Sequence, residues 1–269
     1  MYQRNFMMYA FLLVFFAIPS LVYAESDQIL ITSSQTMDDV IIDGIWSFSG
    51  GEFPEWKQSS YDDLKFEKER IVLRSAHQGD YVYFLIDFLT DTSHDSGLDK
   101  SLVCFDTKNN KSIKPDSDDF CFMAVLNKQT GHVLHGGTDF PQKNFMKKFA
   151  NSTNYVGMGG ISNQHDRYSK IPHTSYEFKI PTDIIGRNNV YGFYFEVYDY
   201  DLDRTFTWPQ NLSYDGHLKI PSPSKWGEII SPDRTLPEFE FPILLVIASM
   251  TALFVLPYIK GMGIFPKLK

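Results

Sequence analysis

The sequence predicts an all-β domain, an antiparallel β-sandwich, followed by one C-terminal transmembrane helix. In the middle of the chain, apolar and aromatic residues alternate with a period of two over many short segments. Clusters of Gly, Asn, Asp and Pro separate these segments, as turns separate strands. An apolar run lies near each end of the chain, and the one near the C-terminus is long enough to span a bilayer.

The segment 81–88 (YVYFLIDF) is the clearest predicted strand. Both of its alternating faces are apolar apart from Asp87, which is typical of a strand covered on both sides. Residues 181–186 are predicted to form no more than a turn or two of helix. Further strands are predicted at 40–43, 71–77, 101–106, 120–126, 132–136, 176–180, 190–201 and 227–230.

Composition limits the classes of function. The chain has 269 residues with a formal net charge of −8, and 43% of its residues are hydrophobic. A chain of this size can bury a substantial core without help from metal ions or several disulfides. Its negative field repels phosphate backbones, so no nucleic-acid partner is expected.

Residues 1–24 are predicted to be a secretory signal peptide. Arg4 precedes a short apolar run (FMMYAFLLVFFAI), and Pro19 follows that run. The residues VYA before Glu25 supply the −3 and −1 positions of a cleavage site after Ala24. The alternative is an uncleaved N-terminal anchor.

Residues 241–259 (FPILLVIASMTALFVLPYI) are predicted to form a transmembrane helix. The segment has no charged residue, and as a helix it would reach about 28 Å, close to the thickness of a bilayer core. The basic tail 260–269 is expected in the cytoplasm, because positive charge favours that side. The domain 25–232 and the Pro/acidic stalk 233–240 would then lie outside the cell membrane, on a single-pass protein.

The stalk itself resembles a known class of sorting signal. Leu236, Pro237, Glu238 and Phe239 are similar to archaeal C-terminal signals that begin Pro-Glu-Phe and run into a membrane helix. The resemblance implies processing or lipid anchoring by a membrane transpeptidase. A plain single-span anchor is the alternative.

Four stretches of the body carry a second resemblance: IIDGIWSFSGGEFPEW, VLRSAHQGDYVYFLIDFLTD, YEFKIPTDIIG and PSKWGEII. They contain an Asp-Gly pair at Asp43, Trp56, a Gly-Asp turn at Gly79, an Ile-Pro strand end at Pro181 and a Trp-Gly pair at Trp226. This order resembles family 9 carbohydrate-binding modules and their DOMON-like relatives. The resemblance implies a jelly-roll or immunoglobulin-like β-sandwich and sugar binding, with a polysaccharide or envelope glycan as the partner.

Sugar binding of this kind needs aromatic faces, because C–H groups of a pyranose ring pack on them while polar neighbours bind the hydroxyls. Trp56 and Trp226 stand at positions that look structural in the family. Trp46 and Trp208 lie in polar loop contexts, with packing in the core as the alternative for each. The candidate carbohydrate-binding residues are Trp46, Trp208, Tyr214 and Asn211.

Two acidic loops are candidate sites for a structural Ca²⁺ ion, because Asp side chains at alternating positions can turn oxygens toward one cation. Neither is an EF-hand, and solvated acidic loops are the alternative. The candidate ligands are Asp199, Asp201 and Asp203 in one loop, and Asp91 and Asp95 with Asp99 in the other.

Cys104 and Cys121 are the only cysteines, and they flank a predicted hairpin. Cross-strand pairing brings Cβ atoms to about 4.5–5.5 Å, which a disulfide can bridge. An even cysteine number in an exported domain favours the bond, with two free buried thiols as the alternative. Candidate N-glycosylation sites lie at Asn110, Asn151 and Asn211.

Other functions stay open from the sequence. A haem-binding DOMON-like redox domain could use Met123, Met146 or Met158 as axial ligands, although no motif fixes a pair. A structural envelope or surface-layer protein would only pack against its neighbours. A glycoside hydrolase would need a carboxylate pair whose separation cannot be read from sequence. No nucleophile or metal-ligand motif is present, which favours a protein without catalysis of its own.

Cleavage of the signal peptide gives the first prediction. The mature chain is expected to begin at Glu25, because Ala24 completes the small-residue cleavage site. Intact-mass measurement of the chain recovered from cell membranes checks this. A membrane-bound product that still begins at Met1 would show an uncleaved anchor instead.

Overall fold

The computed structural model describes residues 27–46, 48–49, 53–130, 132–137, 147–148, 154–216 and 219–231. The predicted signal peptide, stalk, membrane segment and basic tail lie outside the described residues. Within the described part of the chain, no helix is long and apolar enough to cross a membrane.

The described residues form short strands joined by turns, with one α-helical turn, α1 (Thr182–Ile185). The strands are β1 (Gln28–Leu30), β2 (Thr32–Ser33), β3 (Phe48–Ser49), β4 (Phe53–Pro54), β5 (Ser60–Phe66), β6 (Glu69–Gln78), β7 (Tyr81–Phe88), β8 (Lys100–Asp106), β9 (Asp119–Val125), β10 (Gln129–Thr130), β11 (Val133–His135), β12 (Lys147–Lys148), β13 (Val156–Ile161), β14 (Thr174–Pro181), β15 (Val190–Asp199), β16 (Arg204–Trp208), β17 (Tyr214–Asp215) and β18 (Gly227–Ile230).

Two main sheets contain most of these strands. Sheet A has the order β1-β18-β15-β8-β9-β11-β12, with β16 beside β15 and β17 beside β16. Sheet B has the order β10-β13-β14-β7-β6-β2, with β5 also on β6. The N-terminal segment runs along both sheets in turn, because β1 pairs with β18 and β2 pairs with β6. Those two pairs are parallel, which corrects the expectation of a purely antiparallel sandwich; the other strand pairs within the described residues are antiparallel.

An aromatic core joins the two sheets. Phe84 of sheet B lies 5.4 Å from Phe193 and 5.9 Å from Phe105, measured between ring centres, and both partners belong to sheet A. All three rings are buried, and such ring pairs add to the stabilisation that burial of apolar area provides. The two-sheet architecture expected from the period-two alternation is therefore present.

The outer face of sheet B is also covered, as the two apolar faces of segment 81–88 predict. Tyr83 and Leu85 point away from the main core and pack with Trp46 and Trp56 in a second buried cluster. The chain before β5 and the loop between β13 and β14 provide this cover. Residues 40–43, predicted as a strand, form an irregular part of the cover, because their backbone N–H groups bond to buried carboxylates instead of a neighbouring strand.

Cys104 and Cys121 form the predicted disulfide. They are directly opposite each other in β8 and β9, with Cα atoms 4.0 Å apart. Both residues are buried on the outer face of sheet A, beside Tyr194 and Trp226. The bond therefore joins two neighbouring strands close to the centre of that sheet.

Removal of the disulfide is expected to destabilise the fold. The cysteines are 17 residues apart, and a closed loop of this size contributes about 3 kcal/mol by restricting the unfolded chain. The double variant Cys104→Ser, Cys121→Ser should lose about that amount in urea unfolding. An unfolding free energy equal to that of the wild type would contradict the prediction.

Candidate functional site

Two of the predicted sugar-binding aromatic residues lie inside the protein. Trp46 is 1% exposed and Trp208 is 6% exposed. Trp208 packs against Phe193 in the main core, at 5.8 Å between ring centres. The expectation that these indoles face a ligand is therefore corrected, because neither has an exposed face. Trp56 and Trp226, expected to be structural, are buried as well.

Tyr214 is half-buried, and its hydroxyl is already engaged. It donates to Oε2 of Glu196 at 2.8 Å, and Tyr194 donates to the same oxygen at 2.6 Å. Burial raises the pKa of Glu196, while these two hydrogen bonds oppose that rise. The hydroxyl of Tyr214 therefore belongs to a network on the outer face of sheet A. The Asn211 side chain lies outside the described residues.

The two acidic loops approach each other but do not form either predicted Ca²⁺ ligand set. Asp199 and Asp91 are buried, whereas Asp201 and Asp203 are exposed and Asp95 is half-buried. Among the described residues, neither set brings its carboxylates within 4.8 Å of one another. Burial raises the pKa of Asp199 to about 6, and the nearby charge of Asp91 adds to that rise. Calcium binding at these loops stays a prediction.

One of the three predicted glycosylation sites can be placed with its side chain. Asn110 is exposed in the hairpin loop between β8 and β9, and its amide donates to Asp116 at 3.2 Å. Asn151 lies outside the described residues. Modification of either residue stays a prediction.

The outer face of sheet B carries an exposed aromatic ring that the sequence did not single out. Tyr61 on β5 is 45% exposed and pairs in register with Arg74 on β6. The Arg74 guanidinium lies 4.8 Å from the centre of the Tyr61 ring, within cation–π distance. Tyr168, from the loop between β13 and β14, stacks on Tyr61 with ring centres 5.7 Å apart.

Buried groups fix this cluster from below. Arg74 is 7% exposed, and its Nε donates to the Tyr168 hydroxyl at 2.7 Å while Nη1 donates to the Ser59 carbonyl at 3.0 Å. The Trp46 ring packs edge-on against Tyr168 at 5.8 Å. Trp46 therefore supports the half-buried Tyr168 instead of meeting a ligand itself. We call Tyr61, Arg74, Tyr168 and the neighbouring Asp63 and Arg70 the tyrosine face.

A charged pair lies at the edge of the tyrosine face. Nε and Nη2 of Arg70 donate to the two carboxylate oxygens of Asp63, at 2.9 and 3.0 Å. The Arg70 guanidinium lowers the pKa of Asp63 below its ordinary value, and the Tyr61 side chain contributes in the same direction. The exposed ring therefore has a fixed acceptor and a fixed donor beside it.

Glu177 holds the chain before β5 against sheet B. This fully buried residue of β14 accepts hydrogen bonds from the backbone N–H groups of Asp43 and Gly44, at 2.9 and 2.8 Å. Its other oxygen accepts from Nε1 of Trp56 at 2.8 Å. Gly44 has a φ of +89° and lies so close to Gly160 that a Cβ atom would meet its backbone at 2.3 Å, so only glycine fits. The Asp-Gly…Trp pattern in the sequence thus serves one buried carboxylate.

A second buried polar group holds the loop between β13 and β14. Nε2 of His173 lies 2.7 Å from Oδ1 of Asp87 and 4.0 Å from Oδ2 of Asp166, and all three side chains are fully buried. Burial raises the pKa of Asp87 to about 6 although the hydrogen bond from His173 opposes it. Asp166 also accepts from the backbone N–H of Tyr168 at 2.6 Å. This group therefore positions Tyr168 from one end of its loop.

Ser162 completes a Ser–His–Asp arrangement that has no access to substrate. Its Oγ lies 2.8 Å from Nδ1 of His173 and accepts the backbone N–H of the same residue at 3.0 Å. Ser162 is 3% exposed and Asp87 is 0% exposed. A nucleophile must reach a substrate carbonyl, and these atoms are enclosed by protein. The three residues therefore hold β7 and the loop between β13 and β14 together.

An open cleft of about 500 Å³ lies at the end of sheet B where β7 begins. Its lining includes Asp80, Asp183, Arg187 and the half-buried Tyr81, and Arg187 forms an ion pair with Asp80. Nζ of Lys179 lies 4.4 Å from the centre of the Tyr81 ring. Tyr81, like Tyr61, therefore has a cation of the protein beside its ring. The cleft is a polar alternative to the tyrosine face.

Comparison with known proteins finds a distant likeness in structure only. No family model and no curated protein matches the chain. A family 9 carbohydrate-binding module from Caldicellulosiruptor kristjanssonii, solved with cellotriose, is 14% identical with a TM-score of 0.45; the match covers 76% of this chain and 93% of that one. A glucose complex of a family 9 module from the same organism is 15% identical with a TM-score of 0.47, covering 76% and 95%. A likeness at this level assigns neither a family nor a ligand to this chain.

Loss of the Glu177 acceptor is expected to loosen the chain before β5 that covers the outer face of sheet B. In Glu177→Gln the new NH₂ group must face one of the N–H donors, which leaves a buried donor without an acceptor at a cost of about 1–3 kcal/mol. Urea unfolding should show this loss, whereas Glu67→Gln in an exposed turn should leave stability unchanged within about 0.5 kcal/mol. Equal stability of the two variants would contradict the anchoring role.

Proposed function

We propose that this chain is a glycan-binding domain without catalysis of its own, and that it binds sugar at the tyrosine face. The observation that carries the proposal is the exposed Tyr61 ring, which buried groups hold in one orientation. An aromatic ring is a suitable surface for the C–H face of a pyranose because it is flat and apolar. A ring that is already held in place loses little conformational freedom on binding, so the entropy cost of binding is lower.

The groups around the ring suit the hydroxyls of a sugar. The guanidinium of Arg70 and the carboxylate of Asp63 already hold each other in a bidentate pair, so they present a donor and an acceptor in fixed places. Sugar hydroxyls both donate and accept, and pairs of this kind satisfy both functions. Because β5 lies at the edge of sheet B, a glycan chain can extend past the ring without meeting another strand.

The Ser162–His173–Asp87 arrangement is not proposed as a hydrolytic site, because its side chains are buried. Haem binding has no comparable support: Met123 and Met158 are half-buried on different strands, and the Met146 side chain lies outside the described residues. The alternative that a glycan-binding experiment tests is a purely structural envelope protein.

We also propose that the domain is displayed at the outer side of the cell membrane. The support is in the sequence: a leader with a cleavage site at one end, and a charge-free span with a basic tail at the other. The disulfide agrees with an oxidising compartment. A Ca²⁺ ion at the Asp91 and Asp199 loops is kept as a separate proposal, and melting of the chain with and without calcium tests it.

Binding at the tyrosine face predicts a specific mutational pattern. The full chain in mild detergent, screened on a glycan array, is expected to bind at least one polysaccharide, and Tyr61→Ala should weaken that binding at least tenfold, about 1.4 kcal/mol. Removal of the ring deletes the stacking surface and leaves the core intact, because Tyr61 is 45% exposed. Titration calorimetry with the polysaccharide found on the array measures the change.

Matched controls separate this face from the rest of the surface. Tyr200→Ala removes another exposed tyrosine, 49% exposed, on the loop after β15, and should alter affinity less than twofold. Arg187→Ala tests the polar cleft and should also have little effect. Failure to bind any glycan on the array would contradict the proposed function. Loss of binding in Arg187→Ala with normal binding in Tyr61→Ala would move the site to the cleft.

A further inference from the structure

The buried group of Asp87, Asp166 and His173 contains carboxylate oxygens that no protein donor satisfies. One ligand atom from each residue lies within 4.8 Å of the others. Oδ2 of Asp87 and Oδ2 of Asp166 have no hydrogen-bond partner, although both residues are 0% exposed. Burial of such oxygens without compensation costs several kcal/mol. A bound cation would compensate both oxygens at once.

Nε2 of His173 is hydrogen-bonded to Oδ1 of Asp87 at 2.7 Å, and a metal ion at this place would replace the proton between the two atoms. Nδ1 lies 2.7 Å from the Ile171 carbonyl oxygen, which can only accept, so Nδ1 must carry a proton. Once the proton between Nε2 and Asp87 is lost, Nε2 holds the lone pair of the neutral ring, and it points at Asp87 and Asp166. Histidine ligands of metal ions usually donate their other N–H to a carbonyl or carboxylate in this way.

Ser175 adds an independent sign of a ligand. It stands directly opposite Asp87 in the register of β14 and β7, so the two side chains lie on the same face of sheet B. The Ser175 hydroxyl is fully buried and its oxygen has no hydrogen-bond partner. A third polar atom without a hydrogen-bond partner therefore lies on the face of the sheet where the three ligand atoms meet.

Distances and charge agree with one divalent ion. Ligand atoms around a tetrahedral ion at about 2.0–2.2 Å lie roughly 3–4 Å from each other. The distances from Nε2 of His173 to the nearest oxygens of Asp87 and Asp166 are 2.7 and 4.0 Å, so small side-chain rotations suffice. Two carboxylates and a neutral imidazole leave a charge of −2, which a divalent ion balances. Lys170 lies nearby, but its Nζ donates to the backbone carbonyl of Asp166.

We infer that Asp87, Asp166 and His173, with Ser175 beside them, bind one Zn²⁺ ion or a first-row divalent metal ion of similar preference. One imidazole with carboxylates suits Zn²⁺ or Mn²⁺ better than Ca²⁺, which prefers oxygen ligands alone. The site is closed on all sides, as structural metal sites are. It joins strands β7 and β14 to the loop that carries Tyr168.

Metal binding by the full chain tests the inference. Chain purified in mild detergent, stripped with a chelator and titrated with Zn²⁺, is expected to bind one ion per chain and to melt about 5 °C higher or more. His173→Ala should weaken binding at least 100-fold. The matched controls His132→Ala, an exposed histidine, and Asp215→Asn, an exposed carboxylate of β17, should bind as the wild type does.

A spectroscopic measurement on the wild type keeps the test valid where His173→Ala does not fold. X-ray absorption at the zinc edge should show one imidazole nitrogen with oxygen ligands and no sulfur. Fewer than about 0.1 ions per chain without a melting shift would overturn the inference, as would full zinc binding by folded His173→Ala. Binding of Ca²⁺ but neither Zn²⁺ nor Mn²⁺ would overturn it as well.

A further consequence rests on the proposed function. Because the metal would fix the loop behind Tyr61, its removal should weaken glycan binding at least fivefold. A chain that binds zinc but no glycan would refute the glycan proposal alone. A chain that binds glycan equally with and without chelator, and binds no zinc, would refute the metal site alone.

Discussion

The Glu177 carboxylate lies on the outer face of sheet B, where a sandwich strand ordinarily meets water, and a loop crosses above it. Three N–H donors from that loop point at its two oxygens. Burial raises the pKa of Glu177 well above its ordinary value, and the hydrogen bonds from Gly44 and Trp56 oppose that rise. Without the Glu177 carboxylate, the backbone N–H groups of Asp43 and Gly44 would have neither a neighbouring strand nor another acceptor to bond to.

The same face of the sheet positions a second loop through Asp87 and His173. The two anchors are of one kind: a buried acid on a central strand receives donors from a segment that has no strand partners of its own. Between them they bring Trp46 and Tyr168 against Arg74, so this buried arginine of β6 has the Tyr168 hydroxyl as a hydrogen-bond partner and the Trp46 ring beside it. Tyr61 is the exposed ring of this arrangement, so the buried contacts beneath it present a rigid aromatic surface to solvent.

The sequence predicts the sandwich well because its signals are local. Alternation in 81–88, the turn clusters and the cysteine pair each report on neighbouring residues, and the structure agrees with them. The strand 60–66 was missed although Leu64 and Phe66 alternate with polar residues, because three acidic or basic side chains hide the pattern. A pattern search that allowed polar edge strands could have found it.

The site could not be read in the same way. Glu177 and Asp43 are 134 residues apart, and Tyr61 meets Tyr168 only through the loop that His173 holds. Contacts between residues so far apart in the chain leave no periodic pattern in the sequence. Polar loop context suggested Trp46 and Trp208 as ligand surfaces, but an indole also fills a core gap, and burial cannot be inferred from neighbouring residues alone.

Amide hydrogen exchange at Asp43 and Gly44 tests the anchoring of the outer layer most directly. If the Glu177 carboxylate holds these N–H groups, they should exchange as slowly as amides of the central strands, despite lying outside any strand. Exchange as fast as that of the exposed Thr92 and His94 would mean that the chain before β5 is not held, and the account of the tyrosine face would fail with it.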